Sequence, residues 1–171
     1  FFGNKKINHY SEKSAIDPQS PYGVAKAAGY WFTRIYRETH NLYSCSGILF
    51  NHESPLRSKD FVTKKIIDTS LKIKKNNLLN LHLGDIDVYR DWGWAPDYVK
   101  VMWLMLQQKN PNDFVIGSGK KHSIRDFVYE VFRLLKIKKN KLKHNNKKFQ
   151  RKTDIKSYSA NTNFTKKKLK W

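Results

Sequence analysis

Hydrophobic positions along this chain alternate between helical spacing and short continuous runs. Residues 1–19 carry neither period and read as loop, or as a strand end followed by loop. Ser20 and Pro21 have the form of a helix start, with serine as N-cap and proline at the first helical position. That helix is expected over 21–40, with Asn41 as its stop. The run YSCSGILF at 43–50 predicts a buried strand, and NHESPLR at 51–57, broken by Pro55, predicts a loop. Apolar residues at 62, 66, 67, 71 and 73 predict a helix over 61–74. A strand at 80–83 should end at Gly84, and one at 114–116 at Gly117 and Gly119. Between them YVKVMWLML at 98–106 predicts an apolar helix entered through Pro96 and Asp97. Ser123 with Asp126 three residues on is close to a capping box. The helix it opens, 124–135, should bury positions 124, 127, 128, 131, 132 and 135. A last short helix is expected within 164–171. Helices alternating with strands indicate an α/β protein. The chain has no internal repeat, and lysine-rich 136–148 is its low-complexity stretch.

Length and composition narrow the picture. A chain of 171 residues supplies one domain, or one and a fraction. With 39% apolar and 14% aromatic residues it can build a core, which separates it from disordered chains despite a net charge of +20. No apolar run approaches the ~20 residues of a membrane-spanning helix, and no secretory leader is expected. One cysteine, Cys45, leaves neither an internal disulfide nor a cysteine-based zinc site, and a reducing, cytoplasmic setting is expected. Cys45 itself reads as a small core residue. Positive charge concentrates at 136–171, which carries +13. A nucleic-acid binder would show such a tail. However, lysine outnumbers arginine 27 to 7, and lysine-biased composition on a solvated surface explains the charge with less. Phe1 in place of Met makes the chain read as a piece of something longer.

Candidate chemistry lies in three places. Tyr22 and Lys26 stand one turn apart on one helical face. An ammonium there favours tyrosinate and fits Tyr22 for general-base work. With nine tyrosines and 27 lysines, roughly one such pair arises by chance, so the setting SPYGVAK matters more than the spacing. Asn51, His52 and Glu53 follow the expected buried strand, where open α/β sheets bind ligands. They serve equally as a polar turn, and Glu53 either does acid–base work or holds His52 or Lys26. Arg57, Lys64, Lys65 and Arg90 suit a phosphate clamp, although Arg90 has Asp87 and Asp91 close by as partners. His9, His40, His82, His122 and His144 lack metal-ligand spacing, and no metal is expected.

These segments occur in one order: SPYGVAK at 20–26, GILFNHESP at 47–55, FVTKKI at 61–66, LGDIDVYRDWG at 83–93, WLMLQ at 103–107 and DFVI at 113–116. The chain resembles the GDP-mannose 4,6-dehydratases, members of the extended short-chain dehydrogenase/reductase superfamily. The resemblance is nearly continuous over 1–135 and resumes faintly at Phe149, Arg151 and 164–171. It implies the C-terminal part of an NAD(P)-binding Rossmann-type α/β enzyme. Residues 1–50 would be the remnant of the dinucleotide-binding domain, and 51–171 mainly a mixed α/β sugar-nucleotide-binding domain. By motif position it implies Tyr22 and Lys26 as catalytic and NADP-contacting, and His52 and Arg57 as further NADP contacts. Asn51, Glu53, Val62, Lys65, Arg90 and Arg151 would contact GDP-mannose.

The sequence also departs from the family. No G-x-G-x-x-G is present, and the family's catalytic Thr and Glu match positions just ahead of Phe1. Leu56 stands where the family usually has Arg, and Asp154 where Glu is common. The expected partner is therefore an N-terminal half, with this chain inactive alone. In this superfamily the helix bearing Tyr22 commonly pairs with its copy, so Trp31, Phe32, Ile35 and Tyr36 should be exposed or buried in a homo-oligomer. Another epimerase or dehydratase of the superfamily, or a basic nucleic-acid-binding protein, are the alternatives.

Overall fold

The computed structural model describes residues 1–3, 9–146, 149 and 156–171. It is a mixed α/β fold of ten short strands and five α-helices among the described residues. They divide into two compact units, one built from 1–52, 91–121 and 157–171, the other from 53–90 and 122–156. The expected division fell at residue 50, with 51–171 mainly in the second part. Among the described residues 91–121 and 157–171 group with the first unit.

The first unit is organised around β7 (Asp113–Ile116), which pairs in parallel with β2 (Ser46–Leu49), Gly47 opposite Phe114 and Ile48 opposite Val115. Side chains of a strand alternate between faces. Phe114 and Ile116 accordingly join one cluster with Leu169 of α5 (Asn163–Leu169) and Tyr98, Val101 and Met105 of α3 (Ala95–Leu106). Val115 joins the other, with Phe2, Phe50, Tyr10 of β1 (His9–Tyr10) and Ala160 of β10 (Ser159–Ala160). This two-sided burial explains why FVI at 114–116 reads as an uninterrupted apolar run. The segment 43–50 was expected to be a buried strand, and the structure corrects its extent and burial. Only 46–49 is strand, its residues are half-buried or exposed, and Phe50 alone is buried. Among the described residues β2 pairs with β7 alone.

The long helix α1 (Pro21–His40) begins and ends as its sequence predicts. Ser20 Oγ accepts from Gly23 N at 3.0 Å, Pro21 opens the helix, and Asn41 closes it in the left-handed conformation. Its buried residues are Gly23 and Ala27, so it docks through a stripe of small side chains. Near its C-terminus Arg37 forms a two-pronged ion pair with Asp113, 3.0 Å on each arm, and donates to the Ser44 carbonyl. The pair is largely buried, and bonding to Asp113 raises the Arg37 pKa.

The other deep polar group is Asp91, which is fully buried. One oxygen accepts from Ser118 N and Oγ at 2.8 and 2.6 Å; the other accepts from Gly119 N and Ala160 N, both at 2.9 Å. Gly119 has φ +76°, and a Cβ on Gly117 would stand 2.5 Å from that of Ala160. The loop expected over 51–57 is corrected too: its start is β3 (Asn51–Glu53), which pairs with β6 (Trp92–Trp94).

In the second unit α2 (Val62–Lys75) packs on α4 (Ile124–Leu135). Ile66 and Ile73 are buried on the first, and Ile124, Val128 and Phe132 on the second. Ser123 and Asp126 form the full capping box. Two strand pairs complete the unit. β4 (Leu81–His82) runs parallel to β9 (Leu142–Lys143), and β5 (Tyr89–Arg90) antiparallel to β8 (His122–Ser123).

Replacing Asp91 by Ala removes the acceptor of three backbone N–H groups, that of Ala160 in a buried site. The expected loss is about 3 kcal/mol or more of unfolding free energy, read from urea denaturation of Asp91→Ala against wild type. An unchanged midpoint would show that this carboxylate does not hold the first unit.

Candidate functional site

The first unit carries Tyr22, Lys26, Asn51 and His52. Tyr22 is the second residue of α1 and 73% exposed, and Lys26 Nζ lies 5.4 Å from the centre of its ring. The i,i+4 spacing thus delivers both groups to one face at an open helix start. Gly23 beside them is tightly placed: a Cβ there would stand 3.2 Å from Pro18 Cβ.

Asn51 and His52 belong to β3 rather than to a loop. His52 Nδ1 lies 3.1 Å from the Phe50 carbonyl oxygen. A carbonyl only accepts, so Nδ1 carries the hydrogen, and in the neutral ring Nε2 is an acceptor. Tyr98 supports both residues. Its hydroxyl donates to the Asn51 carbonyl at 3.3 Å and its ring centre lies 5.4 Å from that of His52.

The second unit carries Glu53, Arg57, Val62, Lys65 and Arg90. Glu53 Oε2 accepts the Thr63 hydroxyl at 2.6 Å and forms an ion pair with Arg57 Nε at 3.4 Å. Arg57 Cζ sits 3.5 Å from the centre of the Phe61 ring. Val62 begins α2 and is half-buried. Lys65 Nζ lies 3.7 Å from the centre of the Phe149 ring, and burial lowers its pKa. Arg90, opposite His122 in the strand pair, donates to the Tyr89 carbonyl at 2.8 Å. The two acids near it have other tasks: Asp87 is bound in two-pronged fashion by Arg125 and Asp91 by backbone N–H groups. Arg151 lies outside the described residues. Leu56, where the resemblance leads one to expect Arg, is exposed. No group of three or more His, Cys, Asp or Glu among the described residues suits a metal ion.

Sequence reading missed the aromatic and hydroxyl groups behind these residues: Phe61 under Arg57, Phe149 under Lys65, Thr63 on Glu53 and Tyr98 beside His52. The one local signal was Phe61, four residues beyond Arg57.

The family model described as GDP-mannose 4,6 dehydratase matches residues 1–171. The chain belongs to the GDP-mannose 4,6-dehydratase family. It is 40% identical to GDP-mannose 4,6 dehydratase 1 of Arabidopsis thaliana over 161 residues, covering 94% of this chain and 45% of that protein. It is 50% identical to the Homo sapiens GDP-mannose 4,6 dehydratase over 121 residues, covering 71% and 32%. The chain thus spans less than half of the curated relatives' length. Solved structures share its fold. A dTDP-glucose 4,6-dehydratase from Streptomyces venezuelae with NAD and TYD bound superposes with a TM-score of 0.86 at 20% identity, over 98% of this chain and 50% of that one. A Thermus thermophilus UDP-glucose 4-epimerase complex with NAD gives 0.80 at 18% identity, over 96% and 53%.

In this dehydratase-family chain the Tyr98 ring leaves no space above Gly93, where a Cβ would come within 2.5 Å of it. Gly93→Ala is expected to displace Tyr98 from the Asn51 carbonyl and His52 and to cost about 1–3 kcal/mol. Thermal unfolding, together with the tryptophan and tyrosine near-UV signal, checks it. An unaltered melting temperature would remove Tyr98 as the support of this strand end.

Proposed function

We propose that this chain is the catalytic-helix and sugar-nucleotide portion of a GDP-mannose 4,6-dehydratase, which converts GDP-mannose to GDP-4-keto-6-deoxymannose and water. The observation that carries the reading is the family match over all 171 residues, with Tyr22 and Lys26 together on the open start of α1. In this reading Tyr22 takes the proton of the sugar 4-hydroxyl, and Lys26 holds a ribose hydroxyl and favours the tyrosinate. NADP, when bound, accepts hydride from C4 and returns it to C6. His52 and Arg57 are assigned to its contacts, a role that suits the acceptor Nε2 of His52 and the stacked guanidinium of Arg57. Asn51, Val62, Lys65, Arg90 and Arg151 are assigned to the sugar nucleotide, the basic ones to its diphosphate and base. The ketone at C4 acidifies the C5 proton, after which water leaves from C6. That elimination needs a base and an acid, which the resemblance places upstream of Phe1, together with the phosphate-binding turn.

The test is to assay the chain with GDP-mannose and NADP, alone and joined to the upstream half of a relative such as the Arabidopsis thaliana protein. Turnover is expected only from the joined protein, and Tyr22→Phe should lower it ~100- to 10,000-fold. A joined, folded protein without turnover would overturn the dehydratase reading. Turnover by the chain alone, abolished by Glu53→Gln, would overturn the assignment of the acid–base groups.

Copies of the chain are proposed to pair through α1. Trp31, Phe32, Ile35 and Tyr36 are 46%, 63%, 50% and 52% exposed, an apolar face too broad for an isolated surface helix. Sedimentation should show a dimer that Ile35→Glu converts to monomer. A wild-type monomer at high concentration would sink this assignment.

A further inference from the structure

Glu53 is expected among the groups that touch the sugar nucleotide, and one of its two carboxylate oxygens is engaged within the protein. Oε2 accepts the hydroxyl of Thr63, itself only 3% exposed, and stands beside Arg57 Nε. Phe61 covers one face of the guanidinium. Arg57 therefore has a carboxylate 3.4 Å from its Nε, which makes no hydrogen bond among the described residues, and a ring on its face. The Thr63 hydroxyl in the first turn of α2 fixes that carboxylate in turn. Its two terminal nitrogens have no hydrogen-bond partner among the described residues. Those two nitrogens form the edge with which arginine grips two oxygens of one phosphate. A long side chain normally loses rotamer freedom when it closes on an anion, and a guanidinium already stacked on a ring and paired with a carboxylate loses less.

We propose that Glu53 and Thr63 are positioning residues that set the Arg57 guanidinium with its terminal edge outward for a phosphate group of the nucleotide ligand. The proposal rests on the reading of Arg57 as a ligand contact. It makes an unusual prediction of sign. A carboxylate next to an anion site repels the anion, so charge alone predicts that removing Glu53 tightens binding. Positioning predicts the reverse. Thr63 separates the two effects further, because Thr63→Val changes no charge.

The experiment titrates the 171-residue chain with inorganic pyrophosphate, following the Arg57 Nε–H signal by nitrogen-15 NMR. Wild type should give one sharp Nε–H resonance that moves on titration. Glu53→Gln and Thr63→Val should broaden it and weaken pyrophosphate binding roughly tenfold, and Thr63→Ser should restore both. Unchanged or tighter binding in Glu53→Gln and Thr63→Val, with Arg57→Ala still abolishing it, overturns the positioning role and leaves Arg57 as a ligand contact. Binding unaffected by Arg57→Ala overturns both. Should Thr63→Val fail to fold by circular dichroism, Glu53→Gln against Thr63→Ser decides on the same two readouts.

Discussion

A charge with no water around it must be satisfied by the protein, and Asp91 imposes this constraint on the first unit. Its carboxylate gathers N–H groups from residues 118, 119 and 160, which lie 27 to 69 positions away in sequence. Placing those donors requires the left-handed turn at Gly119 and a side-chain-free approach at Gly117. The turn directly follows β7, the strand that divides the two apolar clusters. Moving Asp91 would therefore shift the end of β7 and the start of the chain's return through β10. A buried unpaired donor costs more than its bond gains, so such an arrangement is specific as well as stabilising.

The sequence signals that survived in three dimensions are those with a local physical cause. Ser20, Pro21 and Asn41 bound α1, and Ser123 with Asp126 starts α4, because caps satisfy backbone groups within a few residues. Non-local pairing was not legible. Asn51–Glu53 looked like loop because Pro55 and four polar side chains follow one another, yet its strand character comes from β6, some forty residues on. The residues 43–50 looked buried because they are apolar. Apolar sequence reports what a strand can bury against, not whether the covering surface is present, and β2 remains half-open.

The candidate site divides along the same line. Tyr22 and Lys26 were legible from spacing, since a helix turn alone joins them. The proposed assignments of His52, Arg57, Val62, Lys65 and Arg90 to particular ligands came from motif resemblance, because residue type alone gave only a strand-end site and a phosphate clamp. Of their supporting groups only Phe61 left a local signal, four residues beyond Arg57. Thr63 reaches back ten residues to Glu53, and Phe149 meets Lys65 from a segment without strong pattern. Such contacts depend on side-chain direction in the folded unit, which neither propensity nor motif encodes.

The basic composition obscured this distinction, and the structure resolves it by residue type. Five of the seven arginines form ion pairs with carboxylates: Arg34 with Glu38, Arg37 with Asp113, Arg57 with Glu53, Arg125 with Asp87 and Arg133 with Glu130. Most of the lysines on α2 and α5 instead carry their charge outward. This follows from their chemistry, because a planar fork gains from a fixed geometry and a flexible ammonium gains from hydration. The net charge of +20 is thus largely a property of the solvated lysines, and it says little about recognition. Among these pairs Arg37 and Asp113 close on each other in full, each arm of the carboxylate taken. Arg57 differs: its carboxylate partner meets only Nε, and an aromatic ring takes the face. That open terminal edge, beside an ion pair and a stacked ring, is the geometry on which the proposed phosphate contact of Arg57 rests.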